Sequence, residues 1–255
     1  MKIAILGAMD EEISLLKQSI DNLQETKYAH LTVYSGLLHG AEVAVVKCGI
    51  GKVAAAVATT LVVNFFKPDY VLNTGSAGGF HQELNIGDLV IGTHVQHHDA
   101  DLTHFGYELG QNAGMPASFL CDERLVLAAE KAAQILGQVK SIRGLICTGD
   151  SFIGSDEAAA RLRELFPQMC AVEMEGVAIG QSCYLLNIPF LVIRSLSDIA
   201  GTSSTVSFEA YLEQAAKHSA QLVMGTIAQL STDLRTDLSP DIEHQGQVIF
   251  SCQPN

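Results

Sequence analysis

The stretch CAVEMEGVAIGQ at positions 170–181 places two carboxylates, Glu173 and Glu175, on either side of Met174. Apolar and small residues surround both acids, although a buried carboxylate without a partner is strongly unfavourable. Two further acids, Glu12 and Asp198, lie just after predicted buried strands. Asp198 alone is compatible with a helix cap or a turn, but its occurrence together with Glu12 and Glu175 favours a functional site.

Six segments with Gly, Ser and acidic residues lie where predicted strands end or helices begin. Ligands of open α/β sheets bind beyond the carboxyl ends of the strands. We therefore expect these segments to form one site: GAMDEE (7–12), CGIGKV (48–53), TGSAGGF (74–80), TGDSFIG (148–154), AVEMEG (171–176) and RSLSDIAG (194–201).

The elements that must position these residues alternate along the chain. Apolar runs predict strands at 2–6, 69–75, 87–96, 141–149 and 189–198, with a hairpin over 30–49. Helical spacing predicts helices at 11–20, 52–66, 122–136, 155–166, 175–186 and 207–230. This alternation predicts an α/β fold of three layers, α/β/α, around a twisted, mixed and mostly parallel central sheet. No linker divides residues 1–231, which we interpret as one domain, and residues 232–255 are interpreted as a polar C-terminal tail.

Three other kinds of site are disfavoured by the spacing of residues. Gly49, Gly51 and Ala54 match G-x-G-x-x-A, but the acid expected at the end of the next strand is absent there, since Asp69 precedes that strand. The stretch HVQHHDADLTHFGY (94–107) offers possible metal ligands without the spacing of a metal helix, which favours a polar loop or subunit contact. Ser76 lies in GSAGG, which is not the G-x-S-x-G motif of hydrolases.

Composition excludes several classes of partner. The formal net charge is −13 with no basic block, which argues against nucleic acid and anionic membranes. The six cysteines form no C-x-x-C pair and lie mostly in apolar runs, as is typical of free thiols in a reducing compartment. The N-terminus MKIAILGAMDEE lacks the pattern of a signal peptide and is too short to span a bilayer. We therefore expect a cytoplasmic protein.

A set of ordered motifs identifies a resemblance to a known family. The motifs are MKIAILGAMDEE, CGIGKVAAAVAT, NTGSAGG, GDLVI, HHDADLTHFGYELGQ, RGLICTGDSFI, FPQMCAVEMEGVAI and PFLVIRSLSD. Together, over residues 1–231, they resemble bacterial 5′-methylthioadenosine/S-adenosylhomocysteine nucleosidases, which have the purine nucleoside phosphorylase-like fold. The resemblance implies hydrolysis of the N-glycosidic bond of adenine thionucleosides, and also of 5′-deoxyadenosine, without cofactor or metal.

The resemblance also implies roles for individual residues. Glu12 matches the general base that activates water, and Asp198 matches the general acid that protonates adenine at N7, with a pKa raised by its surroundings. Glu175 matches the acceptor of the ribose hydroxyls. The remaining matched residues would position Asp198 (Ser197), hold the water (Arg194 and Ser76), contact adenine (Phe152 and Ile153), allow close approach of the main chain (Gly78) and line the ribose and thioether region (Met9, Ile50, Met174 and Phe208).

In the resembled family a second subunit closes the 5′ pocket, which implies a homodimer. The matched positions for this closure are Leu102, Phe105, Tyr107 and Pro116. The chain departs from the family pattern at Gly176, where the low helix propensity of glycine predicts a looser helix start, and in the middle of DIAGTSSTVSF.

Three other functions are compatible with the same resemblance in different degrees. A nucleoside phosphorylase would need a phosphate site, which the acids Asp10, Glu11 and Glu12 would repel. A non-catalytic nucleoside-binding protein would be expected to lose Glu12 or Asp198, and both are present. Hydrolysis of aminodeoxyfutalosine in menaquinone synthesis is not separated from the main prediction by the sequence.

Overall fold

The computed structural model describes residues 1–137, 139–201 and 204–237, and within them eleven strands form one sheet flanked by six α-helices. The strands are β1 (Lys2–Gly7), β2 (Asp21–Tyr28), β3 (Leu31–Leu38), β4 (Ala41–Lys47), β5 (Tyr70–Asn73), β6 (Ser76–Gly79), β7 (Leu89–His97), β8 (Phe119–Leu120), β9 (Ser141–Thr148), β10 (Met169–Glu173) and β11 (Phe190–Ile199). The helices are α1 (Asp10–Gln18), α2 (Lys52–Phe66), α3 (Glu123–Leu136), α4 (Asp156–Leu165), α5 (Gly176–Leu186) and α6 (Ser204–Asp237).

The sheet is parallel from β4 to β6 and from β10 to β7, and it is antiparallel between β6 and β10 and at both ends. The strand order is β2-β3-β4-β1-β5-β11-β6-β10-β9-β7-β8, with parallel pairing from β4 through β1, β5 and β11 to β6. The hairpins β2-β3 and β3-β4 extend one edge antiparallel. The long strand β11 also pairs antiparallel with β7, so that β11, β6, β10, β9 and β7 close into a ring. The predicted mixed α/β architecture is confirmed, and the closed ring is a feature that we did not predict.

Burial of the central strands on both faces explains their continuous apolar sequences. Ile3, Ala4, Ile5 and Leu6 of β1 are fully buried, as parallel strands covered by helices on both sides must be. Helix α6 packs against both α1 and α3, and α2 packs against α5. Ala159 and Leu162 of α4 belong to a second buried cluster, with Leu145, Met169 and Val172 of the ring. These layers hold the carboxyl ends of the strands, and the loops that follow them, in fixed positions.

Turn and cap residues set most of the predicted boundaries. The helix predicted at 52–66 has those bounds, and it is followed by Lys67 in a left-handed conformation, with φ of 53°, and by Pro68. The Asp122 side chain accepts hydrogen bonds from the backbone N–H groups of Arg124 and Leu125, which caps α3 as predicted, and Gly137 ends this helix.

Other boundaries differ from the prediction. We did not predict β2, β6 or β8, because β2 is exposed along its whole length and lacks apolar alternation, while β6 and β8 are only four and two residues long. Helix α6 continues to Asp237, beyond the predicted end at 230 and into the predicted tail, and 238–255 lie outside the described residues. Within the described part of the chain, no helix is long and apolar enough to cross a membrane.

Candidate active site

A pocket of about 280 Å³ lies beyond the carboxyl ends of β1, β10 and β11. All predicted catalytic and substrate-binding residues except Arg194 line this pocket: Met9, Glu12, Ile50, Ser76, Gly78, Phe152, Ile153, Met174, Glu175, Ser197, Asp198 and Phe208. Glu173 lines it as well. Among the described residues, the pocket therefore combines four acidic side chains with an apolar wall, and no Lys or Arg lines it.

Glu12 lies at the third position of α1 and faces the pocket. One carboxylate oxygen accepts hydrogen bonds from the backbone N–H groups of Ala8 (2.7 Å) and Met9 (3.2 Å), which also caps the helix. The other accepts from the backbone N–H (2.9 Å) and the hydroxyl (3.2 Å) of Ser76. Burial raises the pKa of Glu12, and Arg194 and the backbone donors oppose this rise. The result is an oriented carboxylate with a stronger affinity for a proton than an exposed Glu.

Asp198 reaches the pocket because β11 is irregular at this point. The register between β11 and β6 shifts between Leu196 and Asp198, so that the consecutive residues Ser197 and Asp198 both line the pocket. In a regular strand consecutive side chains would point to opposite faces. The Ser197 hydroxyl donates to Asp198 Oδ1 at 2.9 Å. Burial raises the pKa of Asp198 to about 6, although the hydrogen bond from Ser197 lowers it.

Gly78 lies directly against the Asp198 carboxylate. A Cβ atom at this position would lie 3.2 Å from Asp198 Oδ2 and 3.3 Å from a methyl group of Val172. Glycine therefore lets the β6 backbone approach the acidic group closely, and a larger residue would require the Asp198 carboxylate or Val172 to shift.

Glu175 and Glu173 have different partners although they are two residues apart. Glu175 is the N-cap residue of α5, but its side chain makes no capping bond, and Oε1 instead accepts from the backbone N–H of Gly51 at 2.8 Å. Glu173 Oε2 accepts from the backbone N–H groups of Glu175 (2.9 Å) and Gly176 (2.7 Å). Burial and the charge of Glu173 raise the pKa of Glu175, against the lowering effect of Arg194.

Thr148 completes the cap of α5. Its hydroxyl donates to Glu173 Oε1 and accepts from the backbone N–H of Val177 at 2.8 Å. A Cβ at Gly176 would lie only 3.0 Å from Glu173 Oε1, so that glycine fits this cap. The prediction of a looser helix start is therefore wrong, because Glu173 and Thr148 accept hydrogen bonds from the first N–H groups of α5.

Arg194 lies beneath the pocket rather than in its wall. The side chain is 1% exposed and donates to Glu173, to Asn73 Oδ1 (2.6 Å) and to the carbonyl oxygen of Ile193 (3.0 Å). Its Nε atom is buried and has no hydrogen-bond partner among the described residues. Arg194 thus balances the charge of the buried carboxylates, and one of its donors is not engaged with the described protein atoms.

The apolar wall is formed by loops and by α6. Phe152 and Phe208 contact each other edge to face, with ring centroids 5.7 Å apart. Phe152 is 47% exposed, whereas Ile153, the next residue, is buried. A flat aromatic ligand would therefore have one exposed ring available for stacking beside a buried backbone segment.

The four residues predicted to serve a partner subunit do not line this chain's pocket. Phe105 lies in a short 3-10 helix (Thr103–Phe105) and is 74% exposed. The other three, Leu102, Tyr107 and Pro116, are partly buried in the same connection between β7 and β8.

The histidine-rich stretch serves structural contacts. His97 Nε2 is within 2.9 Å of Gln181 Oε1 and 3.0 Å of Asn112 Nδ2, and Asp99 pairs with Lys52 at 2.7 Å. No group of three or more His, Cys, Asp or Glu side chains among the described residues has a geometry that could hold a metal ion.

Sequence reasoning assigned no role to Thr148, Asn73 or Asp150 and left that of Glu173 open. Thr148 and Asn73 end buried strands, which is the signal that could have identified them. Their partners, however, are distant in sequence, since Thr148 contacts Glu173 and Asn73 contacts Arg194.

Comparison with known proteins gives a consistent result over most of the chain. A sequence model of the phosphorylase superfamily matches residues 2–228. A protein of Psychromonas ingrahamii, named 5′-methylthioadenosine/S-adenosylhomocysteine nucleosidase, is 53% identical over 231 residues, which cover 91% of this chain and 100% of that protein.

Solved structures of nucleosidases with this name are also similar to the chain over most of its length. The crystal structure of a 5′-methylthioadenosine/S-adenosylhomocysteine nucleosidase from Colwellia psychrerythraea in complex with adenine has a TM-score of 0.89 and 50% identity, covering 90% of this chain and 96% of that one. The nucleosidase of the same name from Neisseria meningitidis, in complex with methylthio-immucillin-A, has a TM-score of 0.88 and 42% identity, covering 89% and 98% of the two chains.

Proposed function

The chain belongs to the phosphorylase superfamily and, within it, to the 5′-methylthioadenosine/S-adenosylhomocysteine nucleosidases, and from this premise we propose that its acidic pocket is the active site. The enzyme is a hydrolase that cleaves the N-glycosidic bond of 5′-methylthioadenosine and of S-adenosylhomocysteine. The products are adenine and the 5-thioribose sugar. One observation supports this assignment of the site: Glu12, oriented by hydrogen bonds from Ala8, Met9 and Ser76, and Asp198, whose raised pKa favours its protonated form, line the same pocket.

In the proposed reaction Glu12 is the general base. Cleavage of the bond between the sugar and adenine develops positive charge on the sugar, and water attacks from the opposite face. Glu12 removes a proton from this water, for which its raised pKa makes it suited. Ser76 donates to Glu12, and the charge of Arg194 acts on the same carboxylate, which supports the assignment of both residues to the water site.

Asp198 is the proposed general acid. It would donate its proton to N7 of adenine, so that adenine leaves as a neutral base. A pKa of about 6 keeps a useful fraction of Asp198 protonated at mildly acidic to neutral pH, which an exposed aspartate would not achieve. Ser197 would orient the carboxyl group through their hydrogen bond.

The other lining residues are proposed to bind the substrate. Glu175 would accept hydrogen bonds from the ribose hydroxyls, because its carboxylate is directed to the pocket and receives only the N–H of Gly51 from the described protein atoms. Phe152 would stack on adenine, the backbone of Ile153 would contact the edge of the base, and Gly78 would admit the ligand close to β6. The ribose and thioether group would contact four apolar side chains: Met9, Ile50, Met174 and Phe208.

The charge of the pocket favours water over phosphate as the nucleophile. A phosphorylase must bind a phosphate dianion, yet the pocket is lined by four acidic residues and by no Lys or Arg. Of the acids in the first loop only Glu12 lines the pocket, while Asp10 pairs with Lys47 on the surface. Adenine release from methylthioadenosine should therefore proceed at the same rate with and without added phosphate, and a strict requirement for phosphate would overturn the proposal.

We further propose a homodimer in which the partner's β7–β8 connection closes the 5′ end of the pocket. Leu102, Phe105, Tyr107 and Pro116 lie outside their own chain's pocket, and Phe105 and Ile50 are exposed apolar side chains. Light scattering after gel filtration should give a dimer mass. A Phe105→Ala variant should weaken binding of methylthioadenosine more than of adenine; a monomeric active enzyme would refute this part.

The physiological setting is proposed as well. We place the reaction in methionine salvage and in recycling of S-adenosylmethionine by-products, in the cytoplasm, where the five free buried thiols of the described chain would stay reduced. Aminodeoxyfutalosine is not favoured as the substrate, since relatives that are more than 50% identical are named for the other two, whereas a futalosine hydrolase of Helicobacter pylori is only 33% identical. A panel of methylthioadenosine, S-adenosylhomocysteine, 5′-deoxyadenosine and aminodeoxyfutalosine, assayed without phosphate, tests the order of preference.

A further inference from the structure

The N-terminus of α2 is capped by side chains from two other loops. Its N-cap residue, Gly51, has no side chain and has a φ of 95°, which favours glycine. Asp150 Oδ1 accepts from the backbone N–H of Lys52 at 2.8 Å, and Glu175 Oε1 accepts from that of Gly51 at 2.8 Å. A Cβ at Gly51 would approach Asp150 Oδ1 to 3.1 Å. The helix start is therefore docked against the loop that follows β9.

Two further residues hold Asp150 in this position. Lys52 Nζ donates to both oxygens of Asp99, at 2.7 and 2.8 Å, and lies 4.0 Å from Asp150 Oδ2. Asp99 Oδ2 in turn accepts from the backbone N–H of Asp150 at 3.0 Å. Lys52 and Asp99 are 22% and 29% exposed, so this ion pair is partly protected from solvent. The three side chains connect the loops after β4, β7 and β9.

We propose that Asp150, held by Lys52 and Asp99, is a positioning residue that fixes the adenine-facing loop of the pocket against the start of α2. The inference rests on the proposed function of the pocket. Asp150 is followed by Ser151, Phe152 and Ile153, which all line the pocket. Ile50, two residues before Lys52, also lines the pocket, as part of the segment that leads into α2. The contact of Asp150 with Lys52 therefore sets the separation between these two walls.

This assignment explains two motifs that the proposed function leaves without a role. Gly51 of CGIGKVAA allows Asp150 to reach the backbone of α2, and Asp99 of HVQHHDAD balances the charge of Lys52. Because Glu12 and Asp198 lie on α1 and β11, loss of the Asp150 contact should affect binding of the base more than the chemical step.

The test compares Asp150→Ala, Asp150→Asn and wild type in steady-state hydrolysis of methylthioadenosine and in titration with adenine. Asp150→Ala should raise KM and the Kd of adenine about ten-fold, the scale of one hydrogen bond to a charged acceptor, while kcat falls by less than about three-fold. Asp150→Asn keeps the oxygen that accepts from Lys52 and should restore KM to within about three-fold of wild type. Asp233→Ala is the matched control, since Asp233 has the same 49% exposure and also pairs with a lysine, Lys131.

The outcomes separate this inference from the proposed function. An unchanged KM for Asp150→Ala, a fall confined to kcat, or an Asp150→Asn variant as weak as Asp150→Ala would each overturn the positioning role. If Asp150→Ala does not fold, Asp99→Ala replaces it, and a KM equal to wild type then overturns the role. A wild-type enzyme that releases no adenine would instead overturn the proposed function.

Discussion

Replacing Ser197 by alanine should extend activity toward alkaline pH. The Ser197 hydroxyl donates to Asp198 Oδ1 at 2.9 Å and so stabilises the ionised carboxylate. This hydrogen bond lowers the pKa of Asp198, which burial has raised to about 6. Without the donor the carboxyl group should hold its proton to higher pH, and a general acid is active only while it is protonated.

The size of the effect follows from the strength of the bond. A hydrogen bond to a charged group contributes about 1.5–3 kcal/mol, and one pKa unit corresponds to about 1.4 kcal/mol. Asp198 is 2% exposed, so water replaces the lost donor only in part. The pKa of about 6 for Asp198 predicts an alkaline limb of kcat/KM near pH 6 in wild type. We expect this limb to move up by about one pH unit in Ser197→Ala. Above pH 7 the variant should then retain a larger fraction of its maximum activity.

The assay is the initial rate of adenine release from methylthioadenosine between about pH 4.5 and 9, since kcat/KM reports the pKa values of the free enzyme. Ser195→Ala is the matched control, because Ser195 is a buried serine of the same strand whose hydroxyl bonds the carbonyl oxygen of Gly87 and does not line the pocket. An alkaline limb that stays in place, or that moves to lower pH in Ser197→Ala, would refute the assignment of this limb to Asp198. An equal shift in Ser195→Ala would do the same.

Three further substitutions test other parts of the site. Asp198→Asn should lower kcat by at least about 100-fold in the adenine-release assay, the scale of a lost general acid, and near-normal turnover would remove Asp198 from the mechanism. Thr148→Val removes the hydroxyl that joins Glu173 to the N–H of Val177, and should lower the free energy of unfolding in urea by about 1–3 kcal/mol; an unchanged denaturation midpoint contradicts the capping role. Gly78→Ala brings a Cβ to 3.2 Å from Asp198 Oδ2 and should lower kcat about ten-fold through displacement of that carboxyl group, whereas a full rate would show that the site can move aside.

Local patterns were sufficient for elements that end at strong signals. The bounds of α2 were predicted correctly, because Lys67 and Pro68 stop an uninterrupted run of helix-forming residues. The polar edge strand β2 could not be predicted in the same way, since its residues are all exposed and it is held by backbone pairing with β3. Closure of the ring between β11 and β7 depends on which distant strands meet, and no local pattern records this.

The segments that form most of the pocket were anticipated because they fall at strand ends, where the fold brings them together, and the individual lining residues were implied by the family resemblance. The motifs did not indicate the contacts that hold the lining residues in position. The role of Glu173 depends on Thr148 and Arg194, which lie 25 positions before it and 21 positions after it. The bulge that turns both Ser197 and Asp198 to the pocket depends on the pairing of β11 with β6. Contacts of this kind follow from the assembled sheet and not from any one segment.

The two carboxylates of VEMEG, Glu173 and Glu175, have different roles that depend on each other. The start of α5 needs acceptors for its first N–H groups, and Glu173 and Thr148 supply them, so that the carboxylate of Glu175 stays directed to the pocket. One acid could not serve the helix and the ligand together. The division leaves four acidic residues around the pocket and one buried cation, Arg194, beneath it. Even with Asp198 protonated, as the proposed general acid must be, three carboxylates face the single charge of Arg194, and this excess of negative charge contributes to the raised pKa of Glu175. A sugar that gains positive charge as its bond to adenine breaks relieves this excess, whereas the neutral substrate does not. The proposed active site would thus be complementary to the transition state of hydrolysis rather than to the bound nucleoside.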